Sequence, residues 1–180
     1  MMTTTEPALL LSPPRSGHFR PVRVSLAMLG ALALGMASGG LFRWGDPSHV
    51  TDLSAWAILG HNLVVAALAV AASAYVAYPM ILVNCWYLGV GLHASVIVEG
   101  WARTISFTAG HVPLEMLAWL LTVRLSWMTT ALVQDRLRRR RGPSRDAWPP
   151  LARSAALVLT CYAAAAAVEW LELWLQLRKG

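Results

Sequence analysis

His111-Val-Pro-Leu-Glu115-Met-Leu-Ala-Trp119-Leu-Leu-Thr-Val-Arg124-Leu-Ser-Trp127 is apolar enough to sit in lipid, yet it carries three ionisable side chains. A charge-capable group at membrane depth is costly and normally turns toward a partner or a wet cavity. His111 and Glu115 are four residues apart, which places both on one face of a helix. Arg124 lies nine residues past Glu115, half a turn out of phase, and is expected to snorkel or to pair elsewhere. The remainder of the chain reads as the housing for this span.

Composition agrees. The 180 residues are 57% hydrophobic and only 13% charged, which points to a membrane protein rather than a soluble domain. A net charge of +6 raises the possibility of nucleic-acid binding. The placement of the charge argues against it. Ten basic residues lie in two patches beside apolar runs, at Arg15, Arg20 and Arg23 and between Arg136 and Arg153. That is a positive-inside pattern, so no nucleic-acid partner is expected, and lipid contact is. Cys85 and Cys161 lack CxxC spacing, fall inside apolar runs and read as small buried hydrophobes. Arginine dominates the basic residues, with Lys179 the sole lysine, and Ala is abundant; this composition hints at a GC-rich bacterial genome.

The pattern predicts an all-α polytopic transmembrane bundle of about five helices, at residues 22–42, 55–77, 80–98, 110–133 and 151–177. Residues 1–21, with Pro13-Pro14, form an expected cytoplasmic tail, and no cleavable signal peptide is evident. Gly30, Gly35, Gly39 and Gly40 give the first span a small-residue face. Tyr78-Pro79 is the expected break between the second and third spans, which should then pack as an antiparallel hairpin. Residues 99–109 are expected as a polar connection. Pro113 belongs in the first turn of a helix, so the fourth helix should start near Gly110. The basic tail and the loop holding Arg138, Arg139, Arg140 and Arg141 are expected in the cytoplasm, where that run could bind anionic lipid or an acidic partner.

Several short motifs resemble those of the stage II sporulation protein M family. The second span opens Ile58-Leu-Gly-His61-Asn62, similar to the family's Asn-Asn pair with His61 in place of the first Asn. The third reads Val83-Asn84-Cys85-Trp-Tyr-Leu-Gly89, with Cys85 where the family has Gly. Gly110-His111-Val-Pro-Leu-Glu115 looks like the family's His-Gly-x-x-Glu, Thr122-Val-Arg124-Leu like the end of that helix, and Ala166-Ala167-Val-Glu169 like its terminal motif. The resemblance spans roughly residues 22 to 175. It implies a helical membrane protein whose polar groups are gathered from several spans, in a family with members tied to cell-wall remodelling during sporulation. The resemblance, with its departures at His61 and Cys85, implies a divergent branch, so the sporulation role does not transfer automatically.

The candidate site follows from these residues. His61, Asn62, Asn84, Arg124 and Glu172 are expected in a polar network, the asparagines as glue between helices. His111, Glu115 and Glu169 support two further readings. One is an ion-pair clamp between the fourth and fifth spans. The other is a catalytic group with His111 as general acid/base, Glu115 orienting it and Glu169 opposite. A cation shared by His111 and Glu115 is a weaker third reading, since HExxH is absent; neither a metal nor a cofactor is expected. The tryptophans read as interface anchors. Two functions follow: a subunit of a membrane complex, or a co-catalytic subunit acting on a peptide substrate as in ribosomal peptide maturation.

Overall fold

Residues 19–41, 55–139 and 148–177 are described by a computed structural model. Among them there are six helices and no strand: α1 Pro21–Ser38, α2 Ala55–Ala72, α3 Ala74–Glu99, α4 Trp101–Thr108, α5 His111–Arg139 and α6 Trp148–Leu177. A 3-10 turn, Gly39–Leu41, extends α1. The tail at 1–18, the loop at 42–54, Arg140, Arg141, Arg178 and Lys179 lie outside the described residues, as does the side chain of Arg139. Pro21 occupies the first position of α1 and Pro113 the first turn of α5, where a missing N–H removes no helical bond.

Contacts fix the topology. On α5 and α6, His111 meets Glu172, Thr122 meets Tyr162, and Met128 meets Ser154. Ascending numbers on one helix pair with descending numbers on the other, so the two are antiparallel. On α2, Asn62 is level with Glu115 and Ala69 with Ser126, so α2 runs parallel to α5. The start of α3 reaches the far part of α5 through the Ala74 N–H, which donates to Thr130 Oγ1 at 2.8 Å. The chain therefore reverses between α2 and α3, the antiparallel hairpin expected from sequence. The reversal falls at Ser73 (φ 102°), not at Tyr78-Pro79, which lies inside α3. The Ser73 carbonyl accepts from the N–H groups of Val76 and Ala77, and Thr130 takes the Ala74 N–H. Proline is tolerated near the start of α3, while a tertiary partner on α5 fixes where that helix begins.

α1 runs parallel to α3 in backbone contact. A Cβ on Gly35 would collide with the Trp86 carbonyl, and one on Gly89 with the Leu32 carbonyl. The Trp86 indole N–H adds a hydrogen bond to Ser38 Oγ at 3.0 Å. This is close packing through small residues, as helices in lipid use it. Residues 99–109, expected as a polar connection, contain the short helix α4, entered through Gly100 at φ +80°. Glu99 and Arg103 pair across one turn at 2.8 Å there.

The core comprises Met28, Ile81, Cys85, Ala118, Trp119, Val123, Val158 and Tyr162, all buried between α1, α3, α5 and α6. Much of the remaining apolar surface faces outward. Leu26, Leu34, Val64, Leu68, Val83, Tyr87, Leu157 and Leu159 are each more than half exposed. A water-soluble fold does not present such a surface along every helix, whereas a bilayer requires it. Pro21–Leu41, Ala74–Glu99, His111–Arg138 and Trp148–Glu172 are long and apolar enough to cross a membrane, and Leu59–Ala72 is a shorter apolar segment beside them. Four crossings with α2 alongside accord with the expected bundle of about five.

Candidate functional site

The first turns of α5 hold the site. Its inward face carries Val112, Glu115, Ala118 with its neighbour Trp119, Thr122 and Ser126, all buried and recurring every three or four residues. Glu115 is only 8% exposed and accepts a hydrogen bond from the Asn62 side-chain N–H, 2.5 Å away on α2. His111 Nδ1 lies 2.8 Å from Glu172 Oε2 on α6, and both side chains retain some exposure. Gly110 makes room for this approach, because a Cβ there would stand 2.6 Å from Glu172 Oε1 and from Val168. Glu169 lies half-buried, within electrostatic range of His111, Glu115 and Glu172.

Three helices thus bring His111, Glu115, Glu169, Glu172 and Asn62 to one end of the bundle. The pairing differs from the expected one. Glu172, not Glu115, contacts the imidazole, because α6 passes antiparallel at the mouth of α5 while α2 covers Glu115 from the other side. A carboxylate on Nδ1 selects the Nδ1–H tautomer of a neutral imidazole and leaves Nε2 as its basic nitrogen. Such a pair can exchange a proton with a bound group, and it can equally clamp two helices.

Three residues expected in the network stand apart from these contacts. His61 is exposed, one position round the helix from Asn62, though within electrostatic range of Glu115. Asn84 is half-buried on α3 and takes no part in the Asn62–Glu115 or His111–Glu172 pairs. Arg124 is exposed on the opposite face of α5. The nine-residue step from Glu115 puts it there. Arg138 is exposed at the other end of the bundle, the end from which α1 and α6 start with Arg20, Arg23 and Arg153.

The polar seam continues beyond the residues expected from sequence. Thr122 Oγ1 donates to the Ala118 carbonyl at 2.8 Å and lies 3.4 Å from the Tyr162 hydroxyl. Ser126 Oγ donates to the Ala69 carbonyl at 3.0 Å. The Trp119 indole N–H is buried and has no hydrogen-bond partner among the described residues. Their sequence signal was a polar group every third or fourth residue from His111 to Thr130, set in an apolar run. Among the described residues, no three His, Cys, Asp or Glu side chains are grouped to hold a metal ion.

The fold and its lipid-facing surface define a multi-pass, all-α membrane protein. No protein-family model, curated protein or solved structure matches the chain.

Proposed function

We propose that this chain is an integral membrane subunit of a multi-protein complex, a helical scaffold that holds a His/Glu cluster at one membrane face. The observation that carries this reading is the clustering of Glu115, Glu169 and the His111–Glu172 pair at one end of α2, α5 and α6. The helices are joined by segments too short to fold into a catalytic domain, which favours partners as the source of further chemistry. The resemblance to the stage II sporulation protein M family supports the same reading, since His111, Asn62 and Glu169 of its motifs fall in or beside the cluster. The basic ends of α1, α5 and α6 share one side, which supports a cytoplasmic N-terminus in a bacterial cell membrane. The test is purification from native membranes in a mild detergent. A stoichiometric protein partner is the expected result; a monodisperse monomer retaining the full cellular activity would refute it.

A second reading is favoured by the 2.8 Å contact between His111 and Glu172 at a partly exposed edge. There the chain is a co-catalytic subunit of a peptide-processing complex, with His111 moving the proton, Glu172 orienting it, and Glu115 and Glu169 shaping the field. His111→Gln and Glu172→Gln should then each abolish product formation while leaving assembly intact. Unchanged turnover in both would exclude the reading.

A further inference from the structure

Arg124 is the least comfortable residue of the isolated chain. It sits near the middle of α5, with thirteen residues before it and fifteen after, and it is exposed on the outer face. It has no ion pair or hydrogen bond among the described residues. At 1.5 Å per residue it stands roughly 20 Å from either end of the helix, far beyond the reach of an arginine side chain. Snorkelling is further disfavoured by direction. Helical side chains tilt toward the N-terminus, so Arg124 leans toward the His111 end, away from the arginine-rich end of the bundle. A guanidinium in this position needs an anion at its own depth.

The surrounding surface fits a helix. Leu117, Arg124 and Ala131 are all exposed and recur every seven residues, one line down the outside of α5. Seven-residue spacing is the seam by which two helices pack side by side, and a single polar residue within it sets partner and register. Among the described residues no carboxylate lies at its level. The described carboxylates are Glu99, Glu115, Asp135, Glu169 and Glu172. Glu115, Glu169 and Glu172 gather at the His111 end of α5 and Glu99 at the matching end of α3, while Asp135 lies about 16 Å past Arg124 toward the opposite end. Two copies inserted in the same orientation would set Arg124 against Arg124.

We infer that the Leu117–Arg124–Ala131 face of α5 docks a transmembrane helix of a different protein, one bearing an Asp or Glu near its mid-point. This rests on the complex-subunit reading and names the kind of partner it requires.

The test uses the full-length chain in phosphatidylcholine liposomes with synthetic single-span Leu/Ala helices. Each helix carries Glu, Gln or Leu at its centre, and association is read by fluorescence energy transfer. The Glu helix should associate at least tenfold more tightly than the Leu helix. Arg124→Leu should erase that difference, and Arg124→Glu should transfer the preference to a helix with a central Lys. Because Arg124 is exposed, these variants should elute and melt like the parent, which separates lost docking from lost folding. Equal association of all the helices, or a preference that survives Arg124→Leu, would overturn the inference. So would self-association of the chain alone that Arg124→Leu abolishes. A native partner still bound by the Arg124→Leu protein would remove this surface while leaving the subunit reading in place.

Discussion

Gly89 offers the sharpest test of the packing between α1 and α3. Its Cα faces the backbone of α1, and a methyl group added there would overlap the Leu32 carbonyl oxygen while lying 2.9 Å from Met36 N and 3.0 Å from the Gly35 Cα. All three are backbone atoms, so no side chain can swing aside and the helices must part. Overpacking of this kind costs about 1–3 kcal/mol. Against it stands the ordinary gain of replacing a mid-helix Gly by Ala, about 0.5–1 kcal/mol. Gly91, two residues on, supplies the control: a Cβ there meets nothing within 4 Å. Gly89→Ala should therefore lower stability, and Gly91→Ala should leave it unchanged or raise it; the helix gain is common to both, so the two should be separated by the overpacking cost, about 1–3 kcal/mol. The assay is reversible unfolding in mixed micelles followed by tryptophan fluorescence, with Trp86 beside the interface as a reporter. Energy transfer between probes on α1 and α3 checks whether the helices separate. If Gly89→Ala proves as benign as Gly91→Ala, the close approach of α1 and α3 is wrong.

Other outcomes follow from particular contacts. Asn62→Leu strands the buried Glu115 carboxyl and should cost about 1–3 kcal/mol in the same assay, whereas Glu115→Gln keeps an acceptor for the Asn62 N–H and should cost much less; equal losses would show that the bond is not formed. Ser73→Gly relieves a positive φ that a serine rarely adopts, so the midpoint should rise by the equivalent of about 1 kcal/mol, while Ser73→Val should lower it. Thr130→Val removes the acceptor of the Ala74 N–H and should speed amide exchange at the start of α3. Unaltered exchange there would mean that Thr130 does not anchor the hairpin.

Much of this was legible in the chain because lipid imposes a coarse rule. Apolar runs near twenty residues must be helices, and their ends are marked by residues such as Pro21, Pro113 and the arginines after Val133. The phase of α5 was legible too: a four-residue step put His111 and Glu115 on one face, and a nine-residue step put Arg124 on the other. The break at Ser73 was not, because Tyr78-Pro79 carries the stronger local signal and the anchor, Thr130, is 56 residues away.

The sequence by itself determined an all-α membrane bundle of about five helices, and which residues could not be left facing lipid alone. Only the tertiary structure decided who meets whom: His111 with Glu172, Glu115 with Asn62, Gly35 with the Trp86 backbone, and Arg124 with no charged or hydrogen-bonding partner among the described residues. The physical reason is range. Burial preference and helical period act over a few residues and can be read along the chain. Polar pairing depends on the register and direction in which separate helices pack, which a one-dimensional pattern does not carry.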